Sequence, residues 1–103
     1  MMAGRIAFRR IAAMALGRGE TLCRHWLPDG RRVGSEWVAR NPCRADRHPG
    51  SFKINLRTGC WCDFATGDKG GDLTSLAAYL FGLSQADAAR NLARMLRISP
   101  HEQ

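Results

Sequence analysis

From Ser51 to Arg57 the chain alternates, with Phe52, Ile54 and Leu56 on one side and Lys53, Asn55 and Arg57 on the other. A period of two over this length predicts a half-buried strand. Thr58-Gly59 reads as a hairpin turn, because glycine accepts the positive φ that a tight turn needs. Cys60-Trp61-Cys62-Asp63-Phe64 is then the return strand. Upstream, Arg31-Arg32 enters a first strand that Trp37 and Val38 anchor, and downstream Gly67-Asp68-Lys69-Gly70-Gly71-Asp72 is a glycine loop leading into a helix.

Helical spacing flanks this sheet on both sides. Ile6, Phe8, Ile11, Ala12, Ala15 and Leu16 make one short amphipathic helix, which Gly17-Arg18-Gly19 ends. Residues 20 to 27 form a second helix with Leu22, Trp26 and Leu27 toward the sheet, stopped by Pro28-Asp29-Gly30. Asp72 caps a third, with Leu73, Leu76, Ala77, Leu80 and Phe81 on one face and Gly82 at its end. Ser84 and Asp87 form a capping-box pattern that opens a last helix. That helix carries Ala88, Leu92, Met95 and Leu96 on one side and Arg90, Arg94 and Arg97 on the other; it stops at Ser99-Pro100, leaving His101 to Gln103 frayed. The fold class is α+β, a small antiparallel sheet of about three strands packed with flanking helices. The expected organisation is a single domain over 1–103, with N-terminal helices in 1–30, a basic β-sheet core with its glycine loop in 31–72, and C-terminal helices in 73–98.

Charge narrows the function. The 103 residues carry a formal charge of +7, and only two of the sixteen basic residues are lysine. Arginine forks onto phosphate and stacks on bases, so the balance favours a nucleic-acid partner, although a GC-rich genome also enriches arginine. Seven basic residues but two acids lie between Arg31 and Arg57. Lys53 and Arg57 share the polar face of their strand, Arg40, Arg44 and Arg47 lie on or near the adjoining turn, and Lys69 sits at the glycine-loop tip. Together they make a surface suited to a phosphate backbone, with Trp61 as the candidate to stack a base. The bland alternatives are a solvated basic face and a Trp61 that packs in the core. The glycine loop lacks the Gly-Lys-Ser/Thr of a nucleotide-binding loop, and Asp68 and Asp72 would repel a phosphate there.

No stretch approaches the ~20 apolar residues of a membrane span. The apolar run Ile11 to Leu16 is also too short for a signal-peptide core, so a cytoplasmic protein with no membrane partner is expected. Cysteines in such a chain point to metal or free thiols before disulfides. Six candidate ligands exist, Cys23, His25, Cys43, His48, Cys60 and Cys62. Cys43, His48, Cys60 and Cys62 make a candidate tetrahedral zinc set of unusual spacing, since the two thiols of a Cys-x-Cys strand point the same way. Cys23 and His25 lie on a helix far from the rest; the alternative for every cysteine is a small, partly buried hydrophobe.

The run from Trp26 to Arg32, Glu36-Trp37-Val38-Ala39-Arg40-Asn41-Pro42, Arg44-Ala45-Asp46-Arg47, Pro49-Gly50-Ser51-Phe52-Lys53-Ile54-Asn55-Leu56-Arg57-Thr58-Gly59, Trp61 and Asp63 to Asp72 resembles the N-terminal zinc-ribbon-type domain of bacterial primases. It is most similar to the version on primase/helicase-like proteins of plasmids, phages and integrated elements. The likeness covers about residues 22 to 98. The chain departs from the zinc-bearing pattern. Cys43 matches the first ligand, but Asp46 stands where a histidine would follow, and Asp63 and about Thr66 occupy the second pair of positions. The mobile-element branch commonly lacks the zinc ligands and keeps the fold; the resemblance therefore argues against the metal that the Cys/His set allows.

No catalytic constellation appears, and the acidic clusters that hold magnesium in a primase's catalytic domain are missing; an enzyme is not expected. The first reading is a template-recognition-like module that binds single-stranded or forked DNA through Arg40, Arg44, Arg47, Lys53 and Arg57, with little base specificity. The alternative is a protein-interaction adaptor or inhibitor that meets a helicase, a primase or a host protein complex, with Arg90, Arg94 and Arg97 as its docking face.

Overall fold

The computed structural model describes residues 4–45 and 50–102. The elements run α1 (Phe8–Leu16), α2 (Gly19–Trp26), β1 (Arg31–Val33), β2 (Glu36–Ala39), β3 (Phe52–Asn55), β4 (Trp61–Asp63), β5 (Lys69–Gly70), α3 (Leu73–Phe81) and α4 (Gln85–Leu96). The five strands form one antiparallel meander in chain order, β1-β2-β3-β4-β5. The sheet therefore has five strands where the alternation predicts about three. The expected first strand is a hairpin, because Gly34 takes φ +61° and turns the chain between Val33 and Glu36. The glycine loop hides the other extra strand: Lys69 and Gly70 pair with Cys62 and Trp61. Neither added strand alternates, so neither has the pattern that marks a strand in sequence.

One face of the sheet is the core. Trp37, Ala39, Phe52, Ile54 and Trp61 are buried in one cluster with Leu22 and Leu27, with Leu73, Leu76 and Ala77 of α3, and with Ile11, Ala15, Ala88 and Leu92 of α1 and α4. Two glycines seat the tryptophans. A Cβ at Gly30 would collide with the Trp37 indole, and one at Gly70 with the Trp61 indole and the Ser75 hydroxyl. Each indole N–H is satisfied, that of Trp37 by the Leu27 carbonyl at 3.1 Å and that of Trp61 by Ser75 Oγ at 2.9 Å.

The caps of α3 follow the sequence, whereas α4 stops before the expected Ser99-Pro100. Asp72 accepts from Ser75 N at 2.8 Å, and the Ser75 side chain closes a capping box. Gly82 ends α3 at φ +65°. Ser84 accepts from Asp87 N at 3.1 Å, and α4 stops at Arg97, which takes the left-handed φ of +58°. The expected fraying after Ser99 does not hold for His101 and Glu102. Ala7 N donates to the Pro100 carbonyl at 2.9 Å and Glu102 N to the Arg5 carbonyl at 2.7 Å. The two ends of the described chain are thus tied together.

Candidate nucleic-acid interface

The second face of the sheet carries half-buried and exposed polar residues among those described, and strand register decides what it shows. Side chains directly opposite each other on paired strands share a face. Arg31 pairs with Val38, Val38 with Lys53, Lys53 with Cys62, and Cys62 with Lys69. One row thus crosses all five strands, with a cation on β1, β3 and β5, each about 10 Å from the next at the usual strand spacing. Glu36 and Asn55, which pair with each other, lie on the same face one row along. Beyond β4 the chain presents Phe64, 68 % exposed, with Lys53 Nζ 5.8 Å from its ring centroid. Lys53, Asn55, Cys62, Phe64 and Lys69 line a shallow groove of about 370 Å³ on this face.

The expected binding residues do not all come here. Lys53 and Lys69 do. Arg40 is exposed after β2 and reaches Asp29 at 3.2 Å, and Arg57 is exposed in the β3–β4 turn. Arg47, like His48, lies outside the described residues. Trp61 points the other way: it is 5 % exposed and its ring lies 4.8 Å from that of Tyr79 in the core. The aromatic exposed on this face is Phe64, which the sequence pattern assigns to the core together with Trp26, Trp37, Phe52 and Trp61; at 68 % exposed it corrects that expectation. Its signal is a broken alternation. Trp61 points in and Cys62 out, but the second inward position is an acid, Asp63, and the phenylalanine follows it on the outer side.

Arg44 directs its guanidinium into the molecule. Its Nε donates to Asp63 Oδ2 at 2.7 Å, and its Nη2 donates to Asp63 Oδ1 at 3.3 Å and to Ser51 Oγ at 3.0 Å. Asp63 is wholly buried, and it also accepts from Asn41 Nδ2 at 2.9 Å and from Ala65 N at 2.9 Å. The Arg44 hydrogen bonds, more than burial opposes them, hold the Asp63 carboxyl well below the usual carboxylate range. Asn41 Nδ2 donates as well to Tyr79 Oη at 2.8 Å, whose hydroxyl donates to Asp68 at 2.7 Å. Burial pushes the Tyr79 phenol upward.

The zinc set does not assemble among the described residues, where no three His, Cys, Asp or Glu side chains converge. Cys43 docks on the end of α3, its thiol 3.4 Å from the Tyr79 carbonyl, and burial raises its pKa. The Cys60 thiol faces the Gly71 carbonyl at 3.7 Å, whereas Cys62 lies in the cationic row of the open face. Cys23 is buried on α2 with its pKa pushed up to about 12, chiefly by desolvation, a packing role that suits no ligand. Asp63 has its oxygens occupied by nitrogen donors. Among the described residues this donor chemistry does not fit a structural zinc site, which needs four convergent thiolate or imidazole ligands.

The five-stranded meander, with the C-terminal end of α2 and the start of α3 against the face that carries Trp37 and Trp61, has a primase zinc-ribbon-like fold. The solved structure of the Aquifex aeolicus primase, comprising its zinc-binding and RNA polymerase domains, superposes on 95 % of this chain with a TM-score of 0.68. The two sequences are 20 % identical, and the match spans 23 % of the primase chain. No protein-family model matches the chain, and no curated protein sequence does. Among the described residues no helix is long and apolar enough to cross a membrane.

Proposed function

We propose that the open sheet face is a nucleic-acid platform, and that the chain is a template-recognition-like module related to the N-terminal domains of DNA primases. The observation that carries this reading is the row Arg31, Lys53 and Lys69, spaced by register across the whole sheet with Phe64 at its margin. Cations at regular intervals follow a phosphate backbone, and an exposed ring offers a stacking surface to unpaired bases. The primase likeness supports the fold on which this face is built. The favoured ligand is single-stranded or forked DNA, the module has no polymerase site of its own, and the sequence resemblance points to replication of a plasmid, phage or integrated element.

Fluorescence anisotropy with labelled single-stranded, forked and duplex oligonucleotides across a salt series tests it. Lys53→Glu with Lys69→Glu should weaken binding at least tenfold and flatten the salt slope by about 1.4, two phosphate contacts at roughly 0.7 each on single strands. An unchanged affinity and slope in that double variant rules out this face.

A second groove favours the adaptor reading. His25 and Trp26 of α2, Phe81 of α3, and Leu92, Arg94 and Met95 of α4 line about 370 Å³, with Phe81 54 % and Met95 45 % exposed. A helicase, primase or host protein would meet the chain here. Phe81→Glu with Met95→Glu should then abolish capture of that protein from nuclease-treated lysate and leave oligonucleotide binding intact.

A further inference from the structure

Asp63 occupies an inward position of β4, in register with Phe52 on β3, where the alternation calls for an apolar side chain. A buried carboxylate is costly unless it is paired and its oxygens are hydrogen-bonded. Here both oxygens are filled, by Arg44 Nε and Asn41 Nδ2 on one and by Arg44 Nη2 and Ala65 N on the other. The donors come from the loop after β2 and from the turn after β4. Arg44 also ties in Ser51 at the entrance to β3, and Asn41 reaches Tyr79 on α3. Asn41 Oδ1 in turn accepts from Cys43 N at 2.8 Å, so the start of the loop is held from both ends of one amide. The cysteines near these segments turn to backbone carbonyls instead of to one another.

We infer that the Arg44–Asp63 pair, braced by Asn41 and Tyr79, is a metal-free clamp that fastens the loop after β2 to β4 in place of a structural zinc. A tetrahedral zinc crosslinks two loops through four short-range bonds. The clamp joins the loop after β2 to β4 through three charge-assisted hydrogen bonds to the Asp63 carboxylate, two from the Arg44 guanidinium and one from the Asn41 amide. It also accounts for an arginine turned inward when the other arginines among the described residues are exposed. The open face then keeps its shape without metal, and this inference stands or falls independently of what that face binds.

Thermal unfolding of the whole chain tests it. The midpoint of the wild-type protein should be the same in a strong chelator, in buffer and with added zinc. Asp63→Asn and Arg44→Met should each lower the midpoint by at least about 10 °C, because each strands a buried polar partner. The double variant should lose no more than the worse single one, since neither group is then left alone. If Asp63→Asn does not fold, the chelator arm and Arg44→Lys still decide: the lysine keeps the charge but not the fork, and should fall between wild type and methionine. A midpoint that drops in chelator, purified protein that carries about one equivalent of zinc, or additive losses in the double variant would overturn the clamp.

Discussion

Asp63 and Phe64 exchange the places that the hydrophobic pattern assigns them, and each exchange has a physical reason. The acid goes inside because Arg44, Asn41 and Ala65 N wait there. The phenylalanine stays outside with Lys53 over its ring. Alternation could not reveal this, since the partner that makes a buried acid tolerable lies nineteen residues away in sequence. Arg44 and Trp61 were legible as special residues, but not in direction: whether an arginine near a turn faces phosphate or a buried acid depends on contacts across the sheet. The pair has a pH signature. Asp63 ionises below its unfolded value of about 3.9, so its stabilisation is complete above that pH and disappears as pH falls through the lower folded value. Wild type should therefore lose stability steeply below about pH 4, and Asp63→Asn should start lower and show a shallower acid limb. Equilibrium denaturation between pH 2 and pH 7 measures both; parallel acid limbs would sink the assignment.

Helices were easier to read than strands, because caps and periodicity are local. Asp72, Gly82 and Ser84 mark the ends of α3 and α4 as their chemistry requires. β1 and β5, three and two residues long, exist only through their partners on β2 and β4. The cationic row is a property of these pairings. Lys53 was visible as the polar side of β3, but its alignment with Arg31 and Lys69 depends on the Gly34 turn and on β5, neither of which the pattern announces. α3 is the element that joins both sides of the sheet's business: it starts at the capping box beside Trp61 and ends near the Cys43 thiol. Its cap should matter accordingly. Asp72→Ala removes the acceptor for Ser75 N and should cost about 1 kcal/mol. Because Ser75 Oγ also holds the Trp61 indole, the loss should be accompanied by a changed tryptophan emission in the native state, whereas a cap of purely local effect would leave the spectrum unaltered.

At the scale of the molecule the proposed reading gives the two faces of one sheet different work, and the charge alone does not say which nucleic acid the open one would prefer. The net charge of +7 attracts any polyanion, and three cations in a row would grip duplex and single strand alike. Phe64 would distinguish them on the proposed reading, because a base can stack on it only when it is unpaired. Phe64→Ala leaves every cation in place, including Lys53 and Lys69. It should therefore weaken binding to a single-stranded oligonucleotide by about tenfold, within the 1–3 kcal/mol range of base–aromatic stacking. Duplex affinity and the salt slopes of both complexes should stay where they were, since no phosphate contact is lost. The preference for single strands would then collapse in Phe64→Ala and survive in Lys53→Glu with Lys69→Glu, though at lower affinity. If the phenylalanine variant instead loses affinity equally for both forms of DNA, the ring supports the lysine and does not read unpaired bases, and the strand preference must come from the shape of the groove.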